Sequence, residues 1–476
     1  MADTLAVDFA NQDRALVVAP AGCGKTYLIS ESVGHAEGRQ LVLTHTHAGV
    51  SAIRARMRHM GIPTDHYRVT TIDSFALAYA RAFPSLGEAP PGVLKKDVLA
   101  SEDWPVIRRV AMRAVGRGPV QDVVRATYSG MYVDEYQDCS KAQHELILSL
   151  AALMPCRIVG DPLQAIYQPL NKDDALPWSE VQGSFPQIDE LRIPYRWLAA
   201  NPALGEWLLA LREAFDSGER IPLTEAGVSG LRVNVTSDPG AAVNACHAQL
   251  DAPDGTVLIL RRWRAECHKL ASKLNNRCSV FEDIECKDLT KPAIEIYSAT
   301  GSDRAKATVR FVHKWLSRIP PPVKAAGEAI LSGRTSRPRN PQALDIVRRL
   351  NLVAETTSII AVDEALDGYE AVGPAFKSRE LWVGLRKAIR ACDQAEGVAL
   401  LQVLQGQRDA LRRVGRQLPL RTMSTPLLVK GLECDHCLVL NLDTFESKES
   451  MYVSMTRASR TLTLLTSRGW IGGGNE

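Results

Sequence analysis

The chain has 476 residues, of which 45% are hydrophobic and 23% charged, with a net charge of +3. That length exceeds one ordinary core and predicts two to four domains. The composition is that of a soluble protein, and the charge permits a nucleic-acid partner through a local basic groove without demanding one. No apolar run approaches a membrane span, and Met1-Ala2-Asp3-Thr4 lacks the basic and apolar regions of an export signal. The expectation is a cytoplasmic protein with no membrane partner, whose ten scattered cysteines stay reduced. Cys434 and Cys437 form a CxxC, but no second pair at zinc spacing accompanies it, and it reads as part of a strand entry.

Gln12 precedes the first apolar run, where it has the reach to hydrogen-bond an adenine edge; a solvated glutamine is the competing reading. The run Ala15-Leu16-Val17-Val18 leads into APAGCGKT at 19–26 and then Tyr27-Leu28-Ile29. Strand, glycine loop and helix in that order are the context of a phosphate-binding loop. Gly22 and Gly24 let successive N–H groups turn inward, Lys25 is placed for the β/γ-phosphates, and the Thr26 hydroxyl for Mg²⁺. The loop therefore predicts ATP and Mg²⁺ as ligands. Ala19 stands where the general pattern has glycine, so only the GKT half matches strictly. Cys23, two residues from Lys25 at the start of a helix, predicts a thiol of lowered pKa that oxidation or alkylation would modify; a neutral small-residue swap is the alternative.

Leu41-Val42-Leu43 ends in Thr44-His45-Thr46-His47 and is followed by a basic helix with Arg54, Arg56 and Arg58. Groups at the carboxyl ends of parallel strands lie where open α/β sheets bind ligands. Thr46 and the arginines suit phosphate contacts and His45 suits base stacking, against the alternative of a solvated helix face. The stretch 69–75 repeats the design with Ser74 among its hydroxyls. Pro84, Pro90, Pro91 and Pro105 then punctuate a segment that reads as a small helical insertion.

At 131–138 a strand ends in carboxylates, with Asp134 placed for the Mg²⁺ shell and Glu135 for orienting and deprotonating water. An acidic loop alone would be commonplace; the upstream phosphate loop, which needs an acidic partner, raises it. Gln164 is positioned to sense a γ-phosphate and Tyr167 to stack on nucleic acid. Tyr195 and Arg196 make an aromatic–arginine pair suited to an adenine stack and a phosphate clamp. After a polar boundary near 229–240, a second α/β unit begins at 231–235 with a buried strand at 256–260. Strand signals vanish between about 300 and 421, where helical runs at 307–316, 343–352, 381–392 and 399–413 take over. That insertion is basic around Arg334, Arg337, Arg339, Arg348 and Arg349, and again around Arg408, Arg412, Arg413 and Arg416. The α/β pattern resumes over 425–433 and ends at 462–465, and Arg457 is a candidate arginine finger.

In this order, APAGCGKT, THTHAG, TTIDSF, VDEYQD, VGDPLQAIY, PYRW, LVKGLE and YVSMTRA resemble the motifs of UvrD/Rep/PcrA-like superfamily 1 DNA helicases. The resemblance spans nearly the whole chain. It implies an α/β fold with two RecA-like parallel-sheet domains in tandem, each interrupted by a smaller helical insertion. The expected boundaries are 1–83 and 128–228 for the first domain, 84–127 for its insertion, 229–299 and 421–476 for the second, and 300–420 for the helical insertion domain. It further implies an ATP hydrolase translocating on single-stranded or tailed DNA, usually 3′ to 5′. Lys25, Thr26, Asp134 and Glu135 would serve the chemistry. Gln164, Arg196 and Arg457 would meet the γ-phosphate, Tyr195 the adenine and Glu433 the ribose. Thr46, Ser74 and Tyr167 would grip DNA. Leu427 replaces a family histidine, and His45 and His47 replace a phenylalanine and an asparagine, which puts the details of DNA contact in doubt. The compact length also resembles the helicase subunit of Gabija-type anti-phage systems. There the alternative function would be a DNA-stimulated ATPase that activates a partner nuclease without processive unwinding.

Overall fold

A computed structural model describes residues 2–95, 99, 102–167, 174–238, 240–251, 254–275, 277–281, 287–377, 379–394 and 418–472. The helical run read at 399–413 and the basic group Arg408, Arg412, Arg413 and Arg416 lie outside the described residues.

Six strands, β1 (Arg14–Val18), β2 (Gln40–Thr44), β3 (Tyr67–Thr71), β4 (Gly130–Val133), β5 (Cys156–Gly160) and β6 (Gln187–Glu190), form a parallel sheet in the order β3-β2-β4-β5-β1-β6. The inner strands β2, β4 and β5 are buried along their whole length, whereas edge strand β3 alternates and edge strand β6 is mostly exposed. This is the burial expected of a sheet covered by helices on both faces. Successive residues serve opposite faces, so Leu16, Val18, Leu41 and Leu43 belong to one core and Ala15, Val17 and Val42 to the other. Helices α1 (Ala2–Ala10), α2 (Lys25–His35) and α3 (His47–His59) contribute to the second core, through Phe9, Ile29 and Ile53 among others. The first core is covered by α4 (Ile72–Ala82), α5 (Asp103–Val115), α6 (Gly118–Thr127) and α7 (Lys141–Ala151). The helices of the proline-punctuated segment thus have no core of their own: Ile107, Val110 and Val120 pack in the same cluster as Leu16.

The remaining strands are β7 (Ile221–Pro222), β8 (Leu231–Val235), β9 (Val257–Leu260), β10 (Ser279–Val280), β11 (Leu316–Ser317), β12 (Ala375–Phe376), β13 (Arg421–Ser424), β14 (Cys434–Val439), β15 (Ala458–Thr466) and β16 (Trp470–Ile471). A second six-stranded parallel sheet has the order β10-β13-β9-β14-β15-β8. The fold is therefore α/β with two six-stranded parallel sheets. The strand read over 425–433 is displaced: β13 ends at Ser424, and Pro426 and Gly431 (φ 80°) turn the chain before β14. Cys434 and Cys437 lie inside β14 and are both buried.

By contacts the chain divides into one unit holding the described residues of Met1–Thr236 and Lys430–Glu476, and another holding those of Ser237–Arg412 and Gln417–Val429. In the second unit, helices Lys287–Ser298, Gly301–Trp315, Pro341–Glu355, Ile360–Ala371 and Arg379–Gln394 share a core that includes Ile296, Phe311, Leu350, Leu366 and Trp382. The stretch read as free of strands contains one short antiparallel pair, β11 with β12. No helix among the described residues is long and apolar enough to cross a membrane.

Candidate nucleotide and nucleic-acid site

Every residue singled out for ATP or DNA contact lies in the first unit. After β1 the chain turns through Gly22 (φ 73°) and Gly24 (φ 89°), left-handed conformations that favour glycine, and α2 begins at Lys25. A Cβ at Gly22 would stand 2.5 Å from the Trp197 ring, and one at Gly24 would stand 3.2 Å from Tyr195. The backbone N–H of Arg196 donates to the Gly22 carbonyl at 3.1 Å. The segment 194–197 thus packs directly on the loop and fixes its shape.

Lys25 Nζ lies 2.8 Å from Glu135 Oε2, and this ion pair is largely buried. A buried ammonium at the mouth of a glycine loop and a helix amino end suits a polyphosphate chain. Burial alone would lower the Lys25 pKa, but the Glu135 and Asp134 carboxylates outweigh it and raise it. Burial would raise Glu135, yet Lys25 opposes this and brings it down to about 2. Asp134 is pushed up to about 7 by burial and by the neighbouring Glu135 charge. Glu135 itself adopts φ 55°, an uncommon left-handed conformation for a residue with a side chain, and Gln137 Nε2 donates to its Oε2 at 2.5 Å. The donor set fits Mg²⁺, which takes one or two protein oxygens with the rest from phosphate and water; Thr26 and Asp134 are the residues that would hold it. No group of three or more His, Cys, Asp or Glu side chains able to hold a metal ion occurs among the described residues.

Beyond β5, Asp161 is fully buried and accepts from Arg212 Nη1 at 2.8 and 2.9 Å and from Gln164 Nε2 at 2.7 Å. Gln164 is thereby held at the strand end, with its side chain on Asp161. Arg196 donates to Glu433 Oε2 at 2.7 Å and to the Thr456 carbonyl at 2.6 Å. Arg457 is buried and donates to the carbonyls of Val453 (2.8 Å) and Leu432 (3.0 Å) and to Thr456 Oγ1 (3.2 Å). Burial and the nearby Arg196 charge lower its pKa to about 10, which leaves it protonated at neutral pH. The structure thus gathers Arg196, Glu433 and Arg457 around residue 456. Tyr195, 48% exposed, lines a cavity of about 220 Å³ together with Leu5, Tyr27, Leu28, Glu31 and Ile193. A flat apolar slot beside a phosphate loop suits a stacked base. Gln12 is not among the lining residues, and its carbonyl accepts from Arg157 Nε at 2.7 Å.

A second cavity, about 280 Å³, is lined by His45, Thr46, Asp73, Arg108, Asp138 and Tyr167, among others. Thr46 Oγ1 caps α3 by accepting from the Gly49 N–H at 3.0 Å. Arg108 grips Asp73 with two bonds of 2.7 and 2.8 Å. Burial lowers His45 to about 4, so it is a neutral imidazole, with Nε2 3.3 Å from Cys139 Sγ. Ser74 is outside the lining; its hydroxyl accepts from Thr71 Oγ1 at 2.7 Å.

The reactivity expected of Cys23 is overturned. The thiol is 1% exposed, and burial pushes its pKa up to about 12, which outweighs the nearby arginines. We expect iodoacetamide to label the partly exposed Cys392 well before Cys23 in the native protein, as read by peptide mass spectrometry. Early labelling of Cys23 would contradict its burial.

Several contributors had no role assigned from the sequence. Lys430, 5% exposed, donates to Asp138 Oδ1 and Oδ2 at 2.6 and 2.5 Å and to the Gln164 carbonyl, and its ammonium stands 5.1 Å from the Tyr167 ring centroid. It stood out only as part of LVKGLE. Arg212 and Leu5 belong to ordinary-looking amphipathic helices that no motif marks.

Residues 3–169 match the family model described as an AAA domain. That span holds the phosphate loop, Asp134, Glu135 and Gln164, and it is about a third of the chain. Among curated proteins there is no match. Among solved structures, the complex of the Arterivirus nonstructural protein 10 (helicase) with DNA is similar at 14% identity and a TM-score of 0.27, over 54% of this chain and 49% of that chain. The chain spans about half the length of that structure. A likeness of that degree transfers no function.

Proposed function

We propose that the protein is an ATP-dependent translocase or helicase on single-stranded DNA, moving 3′ to 5′. The observation that carries this reading is the buried Lys25 ammonium, ion-paired with Glu135 over the Gly22–Gly24 turn, with the His45–Thr46–Tyr167 cavity served by the same sheet. Lys25 holds phosphate charge, and Glu135, a carboxylate at neutral pH, orients a water and takes its proton. Thr26 and Asp134 would hold Mg²⁺, which would supply charge neutralisation at the phosphates. Gln164, Arg196 and Arg457 contact the γ-phosphate, Tyr195 stacks on the adenine, Glu433 reaches the ribose and Gln12 the adenine edge. His45, Thr46, Ser74 and Tyr167 take the DNA. For Gln164, Arg196, Glu433 and Arg457 this assignment requires an exchange of partners, since Gln164 is engaged with Asp161, Arg196 with Glu433, and Arg457 with the Val453 and Leu432 carbonyls. Such an exchange is the means by which nucleotide state would reach the DNA-binding surface.

Strand separation on a 3′-tailed duplex, with displacement of a protein block from single strands, tests the proposal. Failure in both with ATP turnover intact would reject it. DNA-stimulated turnover without unwinding until a nuclease is added would instead identify the sensor ATPase. Replacing Arg457 with alanine is expected to lower turnover far more than nucleotide affinity, because an arginine finger acts on the transition state. Equal losses in both, measured by steady-state kinetics and equilibrium binding, would assign Arg457 a purely structural role.

A further inference from the structure

The arginines of α3 do not all lie where its start suggests. The helix begins beyond the carboxyl end of β2 and runs 13 residues, about 20 Å, so its last turns reach the opposite end of the sheet. There Arg54 and Arg58, four residues apart on one helix face, meet Arg39, which immediately precedes β2, and Arg68 near the start of β3. Pairing of Gln40 with Tyr67 and Leu41 with Arg68 places Arg39 and Arg68 at the same sheet end. With Thr64 and Tyr67 these four arginines line a cleft of about 410 Å³ at edge strand β3.

No carboxylate is among the lining residues, and none of the four arginines has an ion-pair partner among the described residues. Arg54 Nη2 donates to the Val69 carbonyl at 2.6 Å and Arg68 Nη1 to the Tyr128 hydroxyl at 3.0 Å. Both guanidinium groups are thus oriented by neutral acceptors that leave their charge uncompensated. Four gathered cations repel one another, and an anion entering the cleft relieves that repulsion. A planar guanidinium fork matches the oxygens of phosphate in particular. Val69 and Tyr67, which also line the cleft, are 1% and 6% exposed, so the arginines supply most of its wall.

We propose that this arginine cleft is a second nucleic-acid site, which binds successive backbone phosphates of DNA at the strand amino ends, on the far side of the sheet from the phosphate loop. The proposal rests on the reading of the chain as a DNA-binding motor and adds to it a contact outside the motif-bearing residues. The cleft would hold the part of the DNA that flanks the segment gripped at the carboxyl ends. It would supply affinity without sequence preference.

The test is the double variant Arg39→Gln/Arg58→Gln, which spares the two arginines that anchor Val69 and Tyr128. Affinity for a fluorescent 3′-tailed duplex is measured by anisotropy across a salt series, beside DNA-free ATP turnover and thermal unfolding. The expected result is weaker binding, with the slope of log K against log salt shallower by about 1 per arginine removed. ATP turnover without DNA and the unfolding temperature should be unchanged. Equal affinity and slope in parent and variant would overturn the proposal. Loss of polyglutamate binding with DNA binding intact would also overturn it, in favour of an acidic protein. Failure of the parent to bind the duplex at all would reject the motor reading itself, a result distinct from the other two.

Discussion

Replacing Lys25 with alanine is expected to lower ATP turnover by about 10²–10³-fold, the usual cost of deleting one preorganised group that meets transition-state charge. Its ammonium is buried and sits 2.8 Å from Glu135. The substitution removes the proposed phosphate contact and also the charge that holds Glu135 near the bottom of the carboxylate range. Glu135→Gln should cost a comparable 10²–10⁴-fold, as loss of a general base does, while nucleotide still binds. The pair is therefore distinguished by binding: a fluorescent ATP analogue should be retained by Glu135→Gln and largely lost by Lys25→Ala. Turnover surviving in both variants would exclude the loop as the hydrolytic site.

The second large effect concerns stability. Lys430→Met should destabilise the protein by about 3–5 kcal/mol in urea unfolding, because it strands the Asp138 carboxylate in a buried site. Asp138 is 2% exposed, and burial already pushes its pKa up to about 6 with Lys430 beside it. Without the ammonium that value would rise further, so Lys430→Met should recover part of its deficit as pH falls and Asp138 becomes neutral. The double change Lys430→Met/Asp138→Leu should restore much of the loss at neutral pH, since an apolar pair avoids desolvating two charges. A single variant as stable as the parent would mean that water reaches the pair.

The contrast between these two lysines explains what was legible in the sequence. Lys25 is defined by neighbours within a few residues, where a strand, two glycines and a helix start force a local geometry. Lys430 is defined by Asp138, 292 residues away, and no local rule reaches that far. Arg39, Arg54, Arg58 and Arg68 likewise come from a loop, a helix and a strand, and only the register of β2 with β3 brings them together. The Cys23 thiol was misread because proximity to a helix start and a lysine says nothing of burial, and burial decides its pKa. The proline-rich segment after α4 looked independent because prolines mark breaks. Its helices nevertheless carry Ile107 and Val120 into the main core, a fact visible only in three dimensions.

The first unit is built from two separated stretches of chain, Met1–Thr236 and Lys430–Glu476. Lys430, Glu433 and Arg457 are therefore made only after the nested stretch 237–429. At about 5–20 residues per second, that delay is on the order of ten seconds or more. During it, Asp138 has no ammonium and Arg196 no Glu433 carboxylate. A growing chain thus carries its glycine loop long before the side chains that pair with Asp138 and Arg196.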